Sequence, residues 1–180
     1  MDFLETHFAP HPFDVLGLLD THHSDESDFP QLLIELGLSH HLVHTPMPAS
    51  DTSCGIVVVL SKLFHILDVD IPLPGRILTV TAQHSITQVE YLFTFYYGLI
   101  PHRHTSAELK AAMLSLGRPH TSHSNSFIIG DFNFVETTAD RPTGLNSGDT
   151  KILPFWKAIP VIFRDAFRVF PPLKRFFPFK

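Results

Sequence analysis

Three observations predict an α/β domain. Short apolar runs rich in β-branched residues are bounded by Gly and Pro, as buried strands are. Other stretches carry apolar residues at helical spacing between start and stop signals. The chain also has 15 prolines, which favours many short elements joined by turns over long helices. Its 180 residues, 44% of them hydrophobic, suffice for one domain (1–180) with a real core and do not have a disordered composition.

In chain order, Phe13-Asp14-Val15-Leu16-Gly17-Leu18-Leu19 reads as a buried strand, followed by Asp20-Thr21-His22. Ser27 to Leu36 reads as a helix, with Asp28 as N-cap, Leu32, Leu33 and Leu36 as its stripe and Gly37 as C-cap. His40 to Thr45 is a strand, and Gly55 to Lys62 is the strongest strand by β-branched content. Ile66 to Ile71 is expected to pair beside it. Pro72, Pro74 and Gly75 make a turn into Arg76–Thr81, and Tyr91 to Tyr97 follows. Tight connections between these strands predict antiparallel pairing. Ser106 to Leu116 reads as a helix capped by Ser106, with Leu109, Met113 and Leu116 on one face and Gly117 at its end. Thr143 to Thr150 reads as a loop, and Leu153 to Phe163 as a helix carrying Trp156, interrupted or restarted at Pro160.

The richest stretch is Phe127 to Pro142. Phe127-Ile128-Ile129 reads as a short buried strand that Gly130 ends. Asp131 and Asn133 flank Phe132. In an extended segment, residues two apart share a face, so a carboxylate and a carboxamide should emerge together while Phe132 turns to the core. A carboxylate at a strand's C-terminal end can hold a hard cation or polarise a water. The same Asp-x-Asn spacing is also ordinary turn chemistry.

The motif itself, GDFN after an apolar strand, resembles the signature of the endonuclease/exonuclease/phosphatase superfamily. GDFNFVETTADRP is similar to the endonuclease domains of LINE-type retrotransposons, in which GDFN precedes a short loop and an Asp-Arg pair, here Asp140-Arg141. FDVLGLLDTH resembles the superfamily strand that ends in a metal-binding glutamate; Asp20 stands at that place, one methylene shorter. The segment around Tyr97-Gly98-Leu99-Ile100-Pro101 resembles the strand end whose tyrosine approaches the scissile phosphate. Tyr97 is the preferred match and Tyr96 the alternative register; a one-residue slip exchanges the two rings. Asp165-Ala166-Phe167-Arg168 and the Phe-rich end resemble a later segment of the same domains.

The resemblance implies a two-sheet β-sandwich flanked by helices, incomplete at both ends. It implies Mg²⁺ (or Mn²⁺) held by Asp20 and Asp131, and DNA as partner through its phosphate backbone. It also implies catalytic roles for Asp131, Asn133 and Tyr97: Asp131 orients or deprotonates the water, Asn133 holds the phosphate or the geometry of Asp131, and Tyr97 donates to the phosphate. The upstream asparagine motif and the terminal Ser-Asp-His motif of those domains have no counterpart here. A truncated retroelement endonuclease domain is expected, with a catalytically dead remnant as the alternative.

Composition limits the rest. The net charge of −5 argues against a strongly basic nucleic-acid coat protein but not against a nuclease, because a bound cation supplies local positive charge. Basic residues from Lys157 to Lys180 suit either a phosphate backbone or a solvated helix face. The single cysteine, Cys54, leaves no disulfide framework and reads as a buried thiol. The 13 histidines show no metal-binding motif; His40 and His44 have a helical ligand spacing but lie in a predicted strand. His22 is placed near the cleft without a role. No signal peptide or membrane helix is evident, which predicts an intracellular protein, nuclear or cytoplasmic.

Overall fold

The computed structural model describes residues 13–22, 40–46, 54–117, 119, 125–138 and 143–159. The predicted helix at 27–36, Asp140-Arg141 and the segment after 159 lie outside them.

Seven strands form two sheets. In the first, β1 (Val15–Leu19), β2 (His40–Thr45) and β3 (Ile56–Ser61) lie in the order β1-β3-β2, all antiparallel. The second is β4 (Phe64–Leu73), β5 (Ile77–His84), β6 (Glu90–Tyr97) and β7 (Ser126–Asp131), in sequence order. Its first two pairings are antiparallel, and β6–β7 is parallel. The parallel step requires a crossover, which helix α1 (Ser106–Gly117) supplies. Helix α2 (Ser147–Lys157) follows β7.

Alternation along the strands divides the apolar residues into layers. Ile56, Val58 and Leu60 of β3 meet Leu78, Val80 and Ala82 of β5 and Phe93 and Phe95 of β6 between the sheets. On the opposite face of the second sheet, Ile77 and Tyr96 pack against Leu109, Ala112, Met113 and Leu116 of α1 and Ile152 of α2. β3 is buried on both faces, since Val57 and Val59 pack with Phe13, Leu16, Leu18 and Leu42. That explains its unbroken β-branched run. Gly17 of β1 lets the Phe95 ring of the other sheet come close: a Cβ there would lie 2.4 Å from Phe95 Cδ1.

Several expectations are corrected. Residues 66–71 do not pair with β3. Only Lys62 and Leu63 separate the end of β3 from β4, yet the chain changes sheets there. Phe64 enters the inter-sheet core against His84, Tyr91 and Phe93, and β4 pairs with β5 through two register shifts. Gly130 does not end β7 but sits within it, opposite Tyr96; a Cβ would lie 1.9 Å from the Tyr96 carbonyl oxygen. Nor is β7 buried: Ile128 packs toward the helices, whereas Phe127 and Ile129 are 47% and 42% exposed.

The N-cap of α1 is Thr105, not Ser106. The Thr105 hydroxyl accepts from Glu108 N, and the Glu108 carboxylate accepts from Thr105 N at 2.7 Å. These reciprocal bonds form a capping box and hold the Glu108 carboxyl below its usual pKa. Helix α2 starts six residues before the predicted Leu153. Asn146 caps it and Asp149 returns the bond, so half of the expected loop is helix. The buried Asp149 also accepts from Val135 N, which ties the segment after β7 to the start of α2.

Gly130→Ala should destabilise the fold by roughly 2 kcal/mol or more, because backbone must move to admit the methyl. Chemical denaturation reads this directly; unchanged stability would mean that β7 does not pair with β6 in this register.

Candidate functional site

The register of the second sheet sets the site. Phe93, Phe95 and Tyr97 of β6 face the gap between the sheets, paired respectively with Phe127, Ile129 and Asp131 of β7. Alternation therefore puts Tyr97 and Asp131 on the inter-sheet face at the C-terminal ends of neighbouring strands. β1 brings Asp20 to the same end, where its carboxylate lies near enough to the Tyr97 hydroxyl to raise the phenol's pKa. Tyr96 points the other way. It is fully buried among the helix-facing residues, and its hydroxyl accepts from Leu99 N at 3.4 Å.

Hydrogen bonds stitch the sheets together at this end. Gly75 N donates to Thr45 Oγ1 at 2.9 Å. Gly55 N donates to Gly75 O, Thr21 N to Gly55 O, and His22 N to Cys54 O. Gly55, at φ +113, has no room for a side chain: its Cβ would lie 2.5 Å from Thr21 Oγ1. Among the described residues four non-glycine residues have positive φ, and three of them, Asp20 (58°), His22 (57°) and Asn133 (54°), belong to this cluster. Backbone in the left-handed region is costly for such residues and concentrates at functional sites.

Asp131 and Asn133 do not emerge side by side, as an extended segment would present them. Asn133 turns into the left-handed region, and its N–H donates to Asp131 Oδ1 at 2.9 Å. Its side-chain amide donates to Gly98 O at 2.6 Å. Asn133 thus braces the Asp131 turn against the end of β6. Gly98 N donates back to Asp131 O at 2.7 Å, and a Cβ on Gly98 would lie 2.3 Å from Phe132 O. Phe132 does turn to the core, meeting Tyr96, Phe134 and Trp156 edge-on.

Two members of the cluster carried no role in the sequence reading. Arg76 is 5% exposed, and its guanidinium carbon lies 4.7 Å from the centre of the Tyr97 ring. The sequence signals for Arg76 were its place after Pro74-Gly75 and the resemblance of Arg76–Thr81 to a superfamily strand that opens on Gly-Arg, neither of which assigned it a role. His22 Nε2 lies 3.2 Å from Asp20 Oδ1.

The charges around Tyr97 oppose one another. Burial raises its pKa most, followed by the hydrogen bond to Asp20 and the negative charge of Asp20; Asp131 adds to the rise and Arg76 works against it. The phenol therefore stays protonated at neutral pH and can donate a hydrogen bond.

Asp20 and Asp131 carry oxygen donors of the type a hard divalent cation takes. Asp20 Oδ1 is buried, accepts no hydrogen bond and lies 3.2 Å from His22 Nε2. Mg²⁺ commonly takes one or two protein carboxylates and completes its shell with water and substrate phosphate. Among the described residues no group of three or more His, Cys, Asp or Glu side chains is placed to hold a metal, so these two carboxylates are the chain's candidates there. No helix among those residues is long and apolar enough to cross a membrane.

Burial pushes the Tyr96 phenol from 10.0 up to about 12. The folded state therefore holds this proton more tightly than the unfolded one. Its contribution is fully present below about pH 10 and is lost as pH rises toward about 12, roughly 2–3 kcal/mol in all. Melting temperature measured across this range should fall, and Tyr96→Phe should flatten the fall. An equally steep decline in the variant would mean that another group carries the alkaline dependence.

No protein-family model matches this sequence, and no curated protein matches it significantly. Solved structures do match the fold. The 2',3'-cyclic phosphatase ANGEL2, in complex with adenosine-2',3'-vanadate, aligns over 77% of this chain and 45% of its own at 17% identity and a TM-score of 0.59. The AP endonuclease LMAP from Leishmania major aligns over 87% and 58% at 16% identity and 0.58. TDP2 of D. rerio, complexed with a single-strand DNA product, aligns over 81% and 58% at 15% identity and 0.54. The chain thus spans 45% to 58% of these proteins' lengths. The architecture is a two-sheet α/β sandwich like that of these structures and of an endonuclease/exonuclease/phosphatase from Bacteroides vulgatus, which aligns over 75% of this chain and 57% of its own at 13% identity and a TM-score of 0.55.

Proposed function

We propose that this chain is a phosphodiester-hydrolysing domain of the endonuclease/exonuclease/phosphatase type, acting on DNA and derived from a LINE-type retroelement. The observation that carries the reading is the convergence of Asp20, Tyr97 and Asp131 at one end of the gap between the sheets. The GDFN motif, with the Asp140-Arg141 pair after it, supports the retroelement branch.

In this reading Asp20 and Asp131 hold a divalent cation, Mg²⁺ or Mn²⁺. When bound, the cation supplies Lewis-acid charge stabilisation at the phosphate. The chain's own groups do the rest. The Asp131 carboxylate, fixed by the Asn133 N–H, orients the attacking water and draws its proton. The protonated Tyr97 hydroxyl donates to a non-bridging phosphate oxygen as negative charge grows there. Asn133 keeps Asp131 in place through Gly98 rather than reaching the substrate itself. The LMAP and TDP2 structures, named as an AP endonuclease and a complex with a DNA product, support a DNA substrate.

A second reading is a remnant that keeps the fold and hydrolyses nothing. The shorter Asp20 in the glutamate's place, with no third metal-ligating side chain assembled among the described residues, favours it.

Nicking of supercoiled plasmid by the purified chain separates the two. Under the first reading, Mg²⁺ supports nicking that chelation removes, and Asp131→Ala or Asp131→Asn lowers it by about a hundredfold or more. A folded chain that nicks nothing in Mg²⁺ or Mn²⁺ establishes the remnant. Nicking that survives in both variants would remove Asp131 from the mechanism.

A further inference from the structure

We propose that Arg76 is a positioning residue for Tyr97: its guanidinium, packed against the phenol ring and tied to the Gly98 carbonyl, holds the ring in the orientation that aims its hydroxyl at Asp20 and the space beside Asp131. The role deepens the phosphodiesterase reading and rests on it.

Arg76 and Tyr97 are locked to each other from two sides. Tyr97 N donates to Arg76 O at 2.9 Å, so the backbones register where β5 begins and β6 ends. The guanidinium carbon then lies 4.7 Å from the ring centre, within the distance at which a cation is attracted to an aromatic face. Arg76 Nη1 also reaches Gly98 O at 3.5 Å, a long contact to the carbonyl that accepts from the Asn133 amide at 2.6 Å. Through Gly98, one peptide links the Arg76 head, the Asn133 brace and the Asp131 turn.

Burial makes the arrangement specific. An arginine that is 5% exposed does not hold its charge in open water; it is kept where that charge is balanced. The carboxylates whose fields reach Tyr97 belong to Asp20 and Asp131, on β1's end and β7's end. Arg76, at the start of β5, is the cation set against them. A planar, rigid head can stack on the ring and reach a carbonyl at once; an ammonium cannot. A phenol that swings about its χ angles loses the fixed donor geometry on which rate depends.

Two arms test this. By NMR on the whole 180-residue chain, the Arg76 Nε–H proton should lie upfield of a solvent-exposed arginine, and Tyr97→Leu should abolish that displacement. An Arg76 signal that does not change in Tyr97→Leu overturns the proposal, and this arm needs no Arg76 variant to fold. In the nicking assay, Arg76→Gln should lower kcat by about tenfold to a hundredfold, with KM within about twofold. Arg76→Lys should recover only part of the loss. A purely structural arginine would reduce the amount of folded protein but leave kcat per folded molecule unchanged, and that result also overturns the proposal. If the wild-type chain nicks nothing, the phosphodiesterase reading fails, while the NMR arm still decides whether Arg76 holds the ring.

Discussion

The structure depends most on the run of hydrogen bonds that joins the two sheets at one end, from Thr45 through Gly75 and Gly55 to Thr21. A sandwich held only by side chains between its layers can slide, because hydrophobic packing is non-directional. Backbone bonds between a strand end of one sheet and a turn of the other remove that freedom. They also set the height of Asp20 relative to Tyr97, so the cross-sheet contact at the site follows from the same bonds. Gly55 in this run is required by space, since a Cβ there would meet Thr21.

β6 connects the two halves of the molecule. Its odd-numbered aromatics line the inter-sheet face and its even-numbered residues meet the helices, with Thr94 bonded to Thr79 inside that second layer at 3.0 Å. The adjacent tyrosines at its end therefore live in different environments. Tyr96 anchors the packing of Phe132 and the helices, while Tyr97 faces carboxylates. A slip of one residue would exchange a core anchor for a site group. The parallel pairing with β7 guards against this slip, because only glycine fits opposite Tyr96.

Much of this could be read from the chain. The β-branched run of β3, the apolar run of β7 and the apolar spacing of α1 carry strong local signals, and the structure has each element, although Thr105 rather than Ser106 caps α1 and Gly130 lies within β7. The residues Asp20, Tyr97, Asp131 and Asn133 were named from motif resemblance, and the fold places them at one end. Other features depended on distant partners. β4 crosses to the second sheet because Phe64 finds an aromatic pocket built by β5 and β6, which no local pattern announces. Asn133 leaves the extended conformation because its amide has a carbonyl to meet on β6. The start of α2 was hidden because its capping box uses Asn and Asp rather than the commoner Ser or Thr with Glu. Arg76 carried a strand resemblance but no role, because an arginine beside a turn is ordinarily solvated and its burial depends on groups distant in sequence.

The two register shifts in β4 have a consequence for solubility. Among the described residues β4 is the outer strand of the second sheet, with Leu67, Val69 and Ile71 exposed along it. A long, straight edge of that kind is a template on which another molecule's strand can add, and chains bearing one tend to aggregate. Bulges break the regular spacing of free donors and acceptors, and Asp68 and Asp70, both exposed, would bring like charges together if two such edges met. The irregularity that spoils β4 as a regular strand also makes it a poor template for edge-to-edge pairing.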